Sequence, residues 1–309
     1  MPLSWRDNWD EQTRFKMNKP LIDKIIALAH ADEDIRAVIL EGSLAVHLQV
    51  DELSDYDINI YARDYEKYLV DDRWMSQIGQ VLLYQKEQIQ FYETVVPSRL
   101  ILFRDRERVD LSFWHLTLLS EIVRGDKEYE SYKNGYQILV DKDHLAEQLQ
   151  PPNGSGFSVA PPSRDRFLQT IYDFWFEAYC VARYLARRDL WYAKRIENSY
   201  IKDHLLRMAL WHHQATNAWK PDPLLHTEGK RFEKWASPEL IAAISRCFSL
   251  YDIDATWNSL FVMVEIFNQL ARQTSIQLQI AYPDRVEQDI NDYLQYLKNR
   301  QGKRQDKSH

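Results

Sequence analysis

The sequence predicts an α+β protein in two parts, a first domain with a small mixed sheet and a second that is a helical bundle. Three observations predict it. At 309 residues the chain is longer than the roughly 250–300 that one hydrophobic core usually organises. Residues 150–163 hold four prolines and two glycines, a density no regular element tolerates, so they read as a linker. The hydrophobic period also changes across that linker, from short strand-like runs before it to long helical spacing after it. The boundaries that follow are 1–150 and 151–309.

Taken in order, residues 21–31 place Leu21, Ile25, Ile26 and Ala29 at helical spacing. Residues 37–40, all apolar, read as a buried strand. Residues 57–62 alternate polar and apolar and read as another. Residues 81–84 suit a strand. Residues 99–103 and 109–113 flank the charged turn 104–108 and read as a hairpin. Residues 136–140 give the last strand. Beyond the linker Ser163 is a helix N-cap opening a run to about residue 188. Residues 190–219 continue as one or two helices. Ser237-Pro238-Glu239 starts another, with proline at the first helical position. Residues 254–279 and 286–300 complete the bundle, separated by Ala281-Tyr282-Pro283-Asp284. The aromatic residues of these helices, Trp175, Tyr179, Trp191, Trp211, Trp257 and Phe261, read mostly as core. The polar tail 298–309 reads as a frayed end.

Composition narrows the function classes. A mean hydropathy of −0.52 and the lack of a long uncharged apolar run argue against a membrane span. The first residues show no signal-peptide core. Cys180 and Cys247 are far apart in apolar helical contexts and read as reduced residues of a cytoplasmic protein. Charge is uneven: residues 1–150 carry 18 basic and 28 acidic side chains, net −10, and the remainder carries 21 and 18, net +3. An acidic first half disfavours nucleic acid as partner, whose phosphates need a basic face, and suits a divalent metal or a cationic small molecule. No Gly-x-x-x-x-Gly-Lys-[Ser/Thr] loop and no Gly-x-Gly-x-x-Gly occurs, so P-loop and dinucleotide folds are disfavoured.

The chemistry concentrates in strand, Gly42-Ser43, Asp55-Tyr56-Asp57, strand. Two carboxylates at i and i+2 on a strand share one face. Held close they repel unless a cation is present, and a divalent metal accepts both as oxygen ligands. Asp110, between Val109 and Leu111 in a predicted strand, is unexpected unless it faces a ligand. Gly42 allows close backbone approach to a phosphate, and Ser43 adds a hydroxyl. These parts suit phosphoryl transfer. Asp173 and Glu177 share one face of a predicted helix and read first as a solvated pair; they also offer two carboxylates to a cationic acceptor. His212-His213 lacks metal-ligand spacing.

Gly42-Ser43-Leu44-Ala45 followed by Ser54-Asp55-Tyr56-Asp57-Ile58 resembles the signature of nucleotidyltransferases related to DNA polymerase β. The longer context, from Ile35 through Glu41-Gly42-Ser43 to Val109-Asp110-Leu111 and Leu139-Val140-Asp141-Lys142-Asp143, looks like the aminoglycoside 6-adenylyltransferases, which modify streptomycin. In the second half Phe174-Trp175, Leu205 to Met208, Trp211, Gly229-Lys230 and Ala281-Tyr282-Pro283 are similar in order and spacing, so the resemblance spans about residues 21–297. It implies a nucleotidyltransferase domain that binds ATP and metal, then a helical substrate-binding domain. It implies transfer of AMP from ATP to a hydroxyl of streptomycin with release of pyrophosphate, and Mg2+ as cofactor. Asp55, Asp57 and Asp110 become metal ligands and catalytic residues; Gly42 and Ser43 become nucleotide contacts, with Lys230 a further phosphate contact. Leu44 departs from the arginine usual in close relatives. The same chemistry on another small molecule or on a protein hydroxyl is the alternative.

Overall fold

The computed structural model describes residues 19–48, 50–157, 159–226 and 228–305. The chain divides into two compact units between Gly156 and Phe157, within the proline- and glycine-rich stretch. The first unit runs α1 (Lys19–Ala31), β1 (Ile35–Glu41), α2 (Gly42–Val46), β2 (Tyr56–Ala62), α3 (Glu66–Val70), α4 (Met75–Ile78), β3 (Val81–Phe91), β4 (Thr94–Phe103), β5 (Arg108–His115), α5 (Leu116–Arg124), α6 (Glu130–Asn134) and β6 (Gln137–Asp141). Six strands form one mixed sheet in the order β3-β4-β5-β2-β1-β6. Only β2 and β5 are parallel, and the remaining pairs are antiparallel.

Strand alternation puts successive side chains on opposite faces. One face carries Val38, Leu40, Ile58, Ile60, Leu111 and Phe113, packed with Leu21 and Ile25 of α1 and with Trp74, Met75 and Ile78. The other carries Ile39, Tyr61 and Trp114, packed with Leu118, Leu119 and Ile122 of α5 and Tyr132 of α6. Burial of this kind stabilises by roughly 1.5–3 kcal/mol for each large apolar side chain. The hairpin expected over 99–113 is β4–β5. A second hairpin, β3–β4, extends the expected strand 81–84 to Phe91. Its polar run from Gln85 to Gln88 does not alternate because β3 is an edge strand exposed along most of its length.

The second unit runs α7 (Arg164–Ala186), α8 (Leu190–Ile196), a π-helical turn (Glu197–Ile201), α9 (Lys202–Thr216), α10 (Phe232–Trp235), α11 (Pro238–Ser245), α12 (Ile253–Leu278) and α13 (Asp284–Gln305). Ser163 caps α7 by accepting from the Arg166 amide at 3.2 Å, and Ser237 caps α11 by accepting from Leu240 at 3.2 Å. Phe167, Ile171, Phe174, Ala178, Val181 and Leu185 recur at three- and four-residue spacing along α7 and meet α9, α12 and α13 in one core. Trp175, Trp211 and Trp257 are buried there, but Trp191 is 76% exposed, against the expectation that it is core. The tail read as frayed is helical to Gln305; residues 306–309 and the N-terminal stretch 1–18 lie outside the described residues. Cys180 and Cys247 are free thiols. Among the described residues no helix is long and apolar enough to cross a membrane.

Candidate active site

The site begins where β1 ends. Gly42 adopts φ +71°, and a Cβ there would collide with Asp57 Oδ2, so only glycine fits beside that carboxylate. Ser43 follows on the short α2, and its carbonyl accepts from the Leu48 amide at 3.0 Å. Leu44 is fully buried in the core of the first unit. A local turn then returns the chain to the sheet. The Asp51 carboxylate accepts from the Leu53 amide at 2.9 Å, and Ser54 Oγ accepts from the Asp51 amide at 3.0 Å.

β2 starts at Tyr56, so Asp55 lies just before the strand; the expectation of two acids on one strand is corrected to one at its entrance and one inside it. The cluster forms nonetheless, because the turn delivers Asp55 to the strand end. Asp57 pairs in register with Asp110 on β5 and with Glu41 on β1, which sets three acids in one row across the sheet. Asp55, Asp57 and Asp110 each offer an oxygen, all within 4.8 Å of one another. An all-carboxylate set at that spacing fits a hard divalent cation that takes oxygen ligands, such as Mg2+.

Two residues join the acids that the sequence did not single out. Arg108 precedes Asp110 by two and shares its face. Its Nε and Nη2 donate to Asp110 at 3.0 and 2.6 Å, and its Nη1 lies 3.5 Å from Asp55. The sequence places Arg108 at the end of a charged turn, whereas it opens β5, and its i, i+2 spacing to Asp110 puts the two on one face. Burial pushes the Asp110 carboxyl above its usual range, Arg108 opposes this, and Asp55 and Glu87 add to it. Glu41 is the other. The residue is only partly buried, but its carboxyl is enclosed, and burial pushes its pKa up to about 7 against hydrogen bonding from Tyr129, Ser131 and Asn59. Tyr129 Oη donates to it at 2.8 Å, while its Oε2 is buried and closes no hydrogen bond.

Beneath the acids the same face turns into a satisfied polar layer. Asn59 Nδ2 donates to Tyr132 Oη at 3.1 Å and its Oδ1 accepts from Trp114 Nε1 at 2.8 Å; Ser98 and Ser112 hydroxyls meet at 2.7 Å. The side chains that support the acid-bearing strands are thereby fixed. Of the residues expected to act, Gly42, Asp55, Asp57 and Asp110 are gathered here with the Ser43 turn alongside. Lys230 belongs to the second unit, where it is exposed on the turn ahead of α10. Asp173 and Glu177 are also in that unit, part-exposed on α7; burial and then Asp173 push the Glu177 carboxyl up.

A mixed sheet that presents a Gly-Ser turn and three clustered acids to one place, followed by a helical bundle, has the layout of a nucleotidyltransferase. Comparison with known proteins gives the particular branch. The family model for streptomycin adenylyltransferase matches residues 15–297, and the chain belongs to that family. It is 26% identical over 278 residues to an aminoglycoside 6-adenylyltransferase of Bacillus subtilis strain 168, covering 87% of this chain and 94% of that protein. It is 26% identical over 296 residues to one of Campylobacter jejuni, covering 93% and 98%. A crystal structure of an aminoglycoside 6-adenyltransferase from Bacillus subtilis aligns with 22% identity and a TM-score of 0.45 over 92% of this chain and 99% of that one.

Proposed function

We propose that this chain transfers AMP from ATP to a hydroxyl of an aminoglycoside of the streptomycin type, in the cytoplasm, and releases pyrophosphate. The observation that carries the reading is the gathering of Asp55, Asp57 and Asp110 within 4.8 Å beside the Gly42-Ser43 turn, in a chain of this family. The hydroxyl oxygen attacks the α-phosphorus, a new P–O bond forms, and the bond to the β-phosphate oxygen breaks. Gly42 gives the triphosphate room at the backbone and Ser43 holds it, with Lys230 as a further phosphate contact. Asp55, Asp57 and Asp110 would hold Mg2+, which would supply positive charge to offset the negative charge that develops in the transfer. Asp110 takes the proton of the attacking hydroxyl and passes it to solvent.

The test is incubation with ATP labelled at the α-phosphate, Mg2+ and a panel of aminoglycosides, with products resolved by mass spectrometry. A mass gain of one AMP on streptomycin is the expected result, and no transfer to any of them overturns the assigned acceptor. Leu44, where the resemblance leads one to expect arginine, is turned into the core and supports a second reading in which the chemistry is kept and the acceptor differs. AMP on another small molecule or on a protein hydroxyl in cell extract is its signature.

A further inference from the structure

We propose that Glu41 is a positioning residue for the nucleotide, holding the Gly42-Ser43 turn in place against Asp57 by anchoring the end of β1 to Tyr129. The inference rests on the reading of that turn as the triphosphate contact. Glu41 is the last residue of β1 and pairs in register with Asp57, so whatever fixes its side chain fixes the strand end from which Gly42 departs.

The anchor is rigid. Tyr129 accepts no freedom from its surroundings: its ring meets Trp114 at 5.2 Å, Phe91 at 5.7 Å and Tyr132 at 4.8 Å, each edge to face. Its hydroxyl donates to Glu41 at 2.8 Å. The neighbouring chain holds the far end of the turn as well. Gln137 Nε2 donates to the Ala45 carbonyl at 3.1 Å, and Gly135 packs so closely against Val46 that a Cβ would collide with it. Residues 129–137 therefore grip both ends of the segment that carries Gly42 and Ser43.

The choice of a carboxylic acid at this place is informative. Enclosing a carboxyl weakens a fold, and an apolar residue would serve packing better. The position is explained by what the side chain holds. A displacement of the turn by a fraction of an ångström would bring Gly42 against Asp57 or carry Ser43 away from the phosphates, and nucleotide binding is sensitive to shifts of that size.

The experiment measures ATP affinity in the presence of Mg2+, by displacement of a fluorescent ATP analogue, on the full chain and on Glu41→Ala, Glu41→Gln and Tyr129→Phe, with a thermal melt of each. ATP affinity is expected to fall roughly tenfold in Glu41→Ala and several-fold in Tyr129→Phe, and to stay within about twofold in Glu41→Gln, whose side-chain oxygen still accepts from Tyr129. In turnover the loss falls on KM for ATP, with kcat at saturating ATP changed by less than about threefold. ATP affinity unchanged in Glu41→Ala and Tyr129→Phe, whatever their melting temperatures, overturns the inference and leaves Glu41 a packing residue. If Glu41→Ala does not fold, Tyr129→Phe, which removes a single oxygen atom, decides. A parent chain that binds ATP but modifies no acceptor sinks the proposed acceptor and leaves this inference standing; a parent chain that binds no ATP sinks both.

Discussion

The first and second units each gather charge, and they do so in opposite ways. In the first, three carboxylates crowd together at the strand ends, half-exposed, with Arg108 as the cation found among them. In the second, Lys194 and Glu197 form a buried ion pair at the start of the π-helical turn. Lys194 Nζ also donates to the Ser249 carbonyl at 3.1 Å and its hydroxyl at 3.0 Å, while Glu197 Oε1 accepts from Ser249 at 3.2 Å and from Ser259 of α12. That second cluster is balanced in charge and ties together α8, the segment after α11 and α12. The acid cluster is unbalanced and ties little. Three carboxylates crowd round one arginine there, and that excess of like charge marks a place shaped for a ligand. The balanced pair marks a place shaped for the fold, with Ser249 and Ser259 closing hydrogen bonds round Lys194 and Glu197 Oε1.

Substitution separates the two most sharply at their centres. Asp57→Asn removes one of the crowded charges and keeps the shape. AMP transfer is expected to fall by on the order of a thousandfold or more, about 4 kcal/mol of barrier, while the melting temperature holds or rises. Steady-state turnover and a thermal melt on one preparation check both halves, and a large fall in stability would erase the contrast. Lys194→Met inverts the pattern. It leaves Glu197 charged and buried without its partner, which costs about 3–5 kcal/mol of stability, while nothing at the acid cluster changes. Chemical denaturation measures it; a loss below about 1 kcal/mol would show that the pair is not the lock described.

The same contrast governs what the sequence revealed. Asp110 was legible because an acid between apolar strand residues violates the hydrophobic pattern, Asp55 and Asp57 because two acids at i and i+2 share one face, and Ser163 and Ser237 because caps precede periodic runs. Mixed sheet followed by helical bundle came from the change of period. Arg108 was hidden in a stretch of alternating charge: its i, i+2 spacing to Asp110 carries meaning only once β5 is known to begin at Arg108. Glu41 was visible in its motif, but burial of its carboxyl depends on Tyr129, 88 positions away. The partnership of Lys194 with Ser249, and of Glu197 with Ser249 and Ser259, is likewise a product of tertiary packing. Trp191 was read as core because aromatic character predicts burial only on average. The polar half of β3 was missed because an edge strand exposed on both sides has no alternation to read.

Glu41 stands between the two kinds of cluster, buried like Glu197 but without a cation. Its pKa is raised from 4.5 to about 7 by burial. Between those values the folded chain keeps a proton that the unfolded chain has lost, so stability falls as pH rises through that window and the loss is complete above it. The full difference is about 3 kcal/mol. Denaturation at pH 5 and pH 8 should show it in the parent chain, and Glu41→Gln should flatten the slope. A slope unchanged by that substitution would place the charge sensitivity elsewhere.

The smallest effect tests whether burial, rather than pair geometry, sets the difference. Arg108 contacts Asp110 through two nitrogens, a geometry as good as that of Lys194 with Glu197. Its side chain is 49% exposed, against 11% for Lys194. Water and salt screen the exposed pair, and solvent takes over the hydrogen bonds when it is broken. Arg108→Ala is therefore expected to cost less than about 1 kcal/mol, and less still in 0.5 M salt (roughly a 4 Å screening length). Lys194→Met should keep most of its cost at the same salt, because no ions enter its site. Denaturation of both variants at low and high salt decides between the two accounts. Equal losses that respond equally to salt would mean that the strand-end charges support the fold as much as the buried pair does, and the division of labour between the clusters would fall.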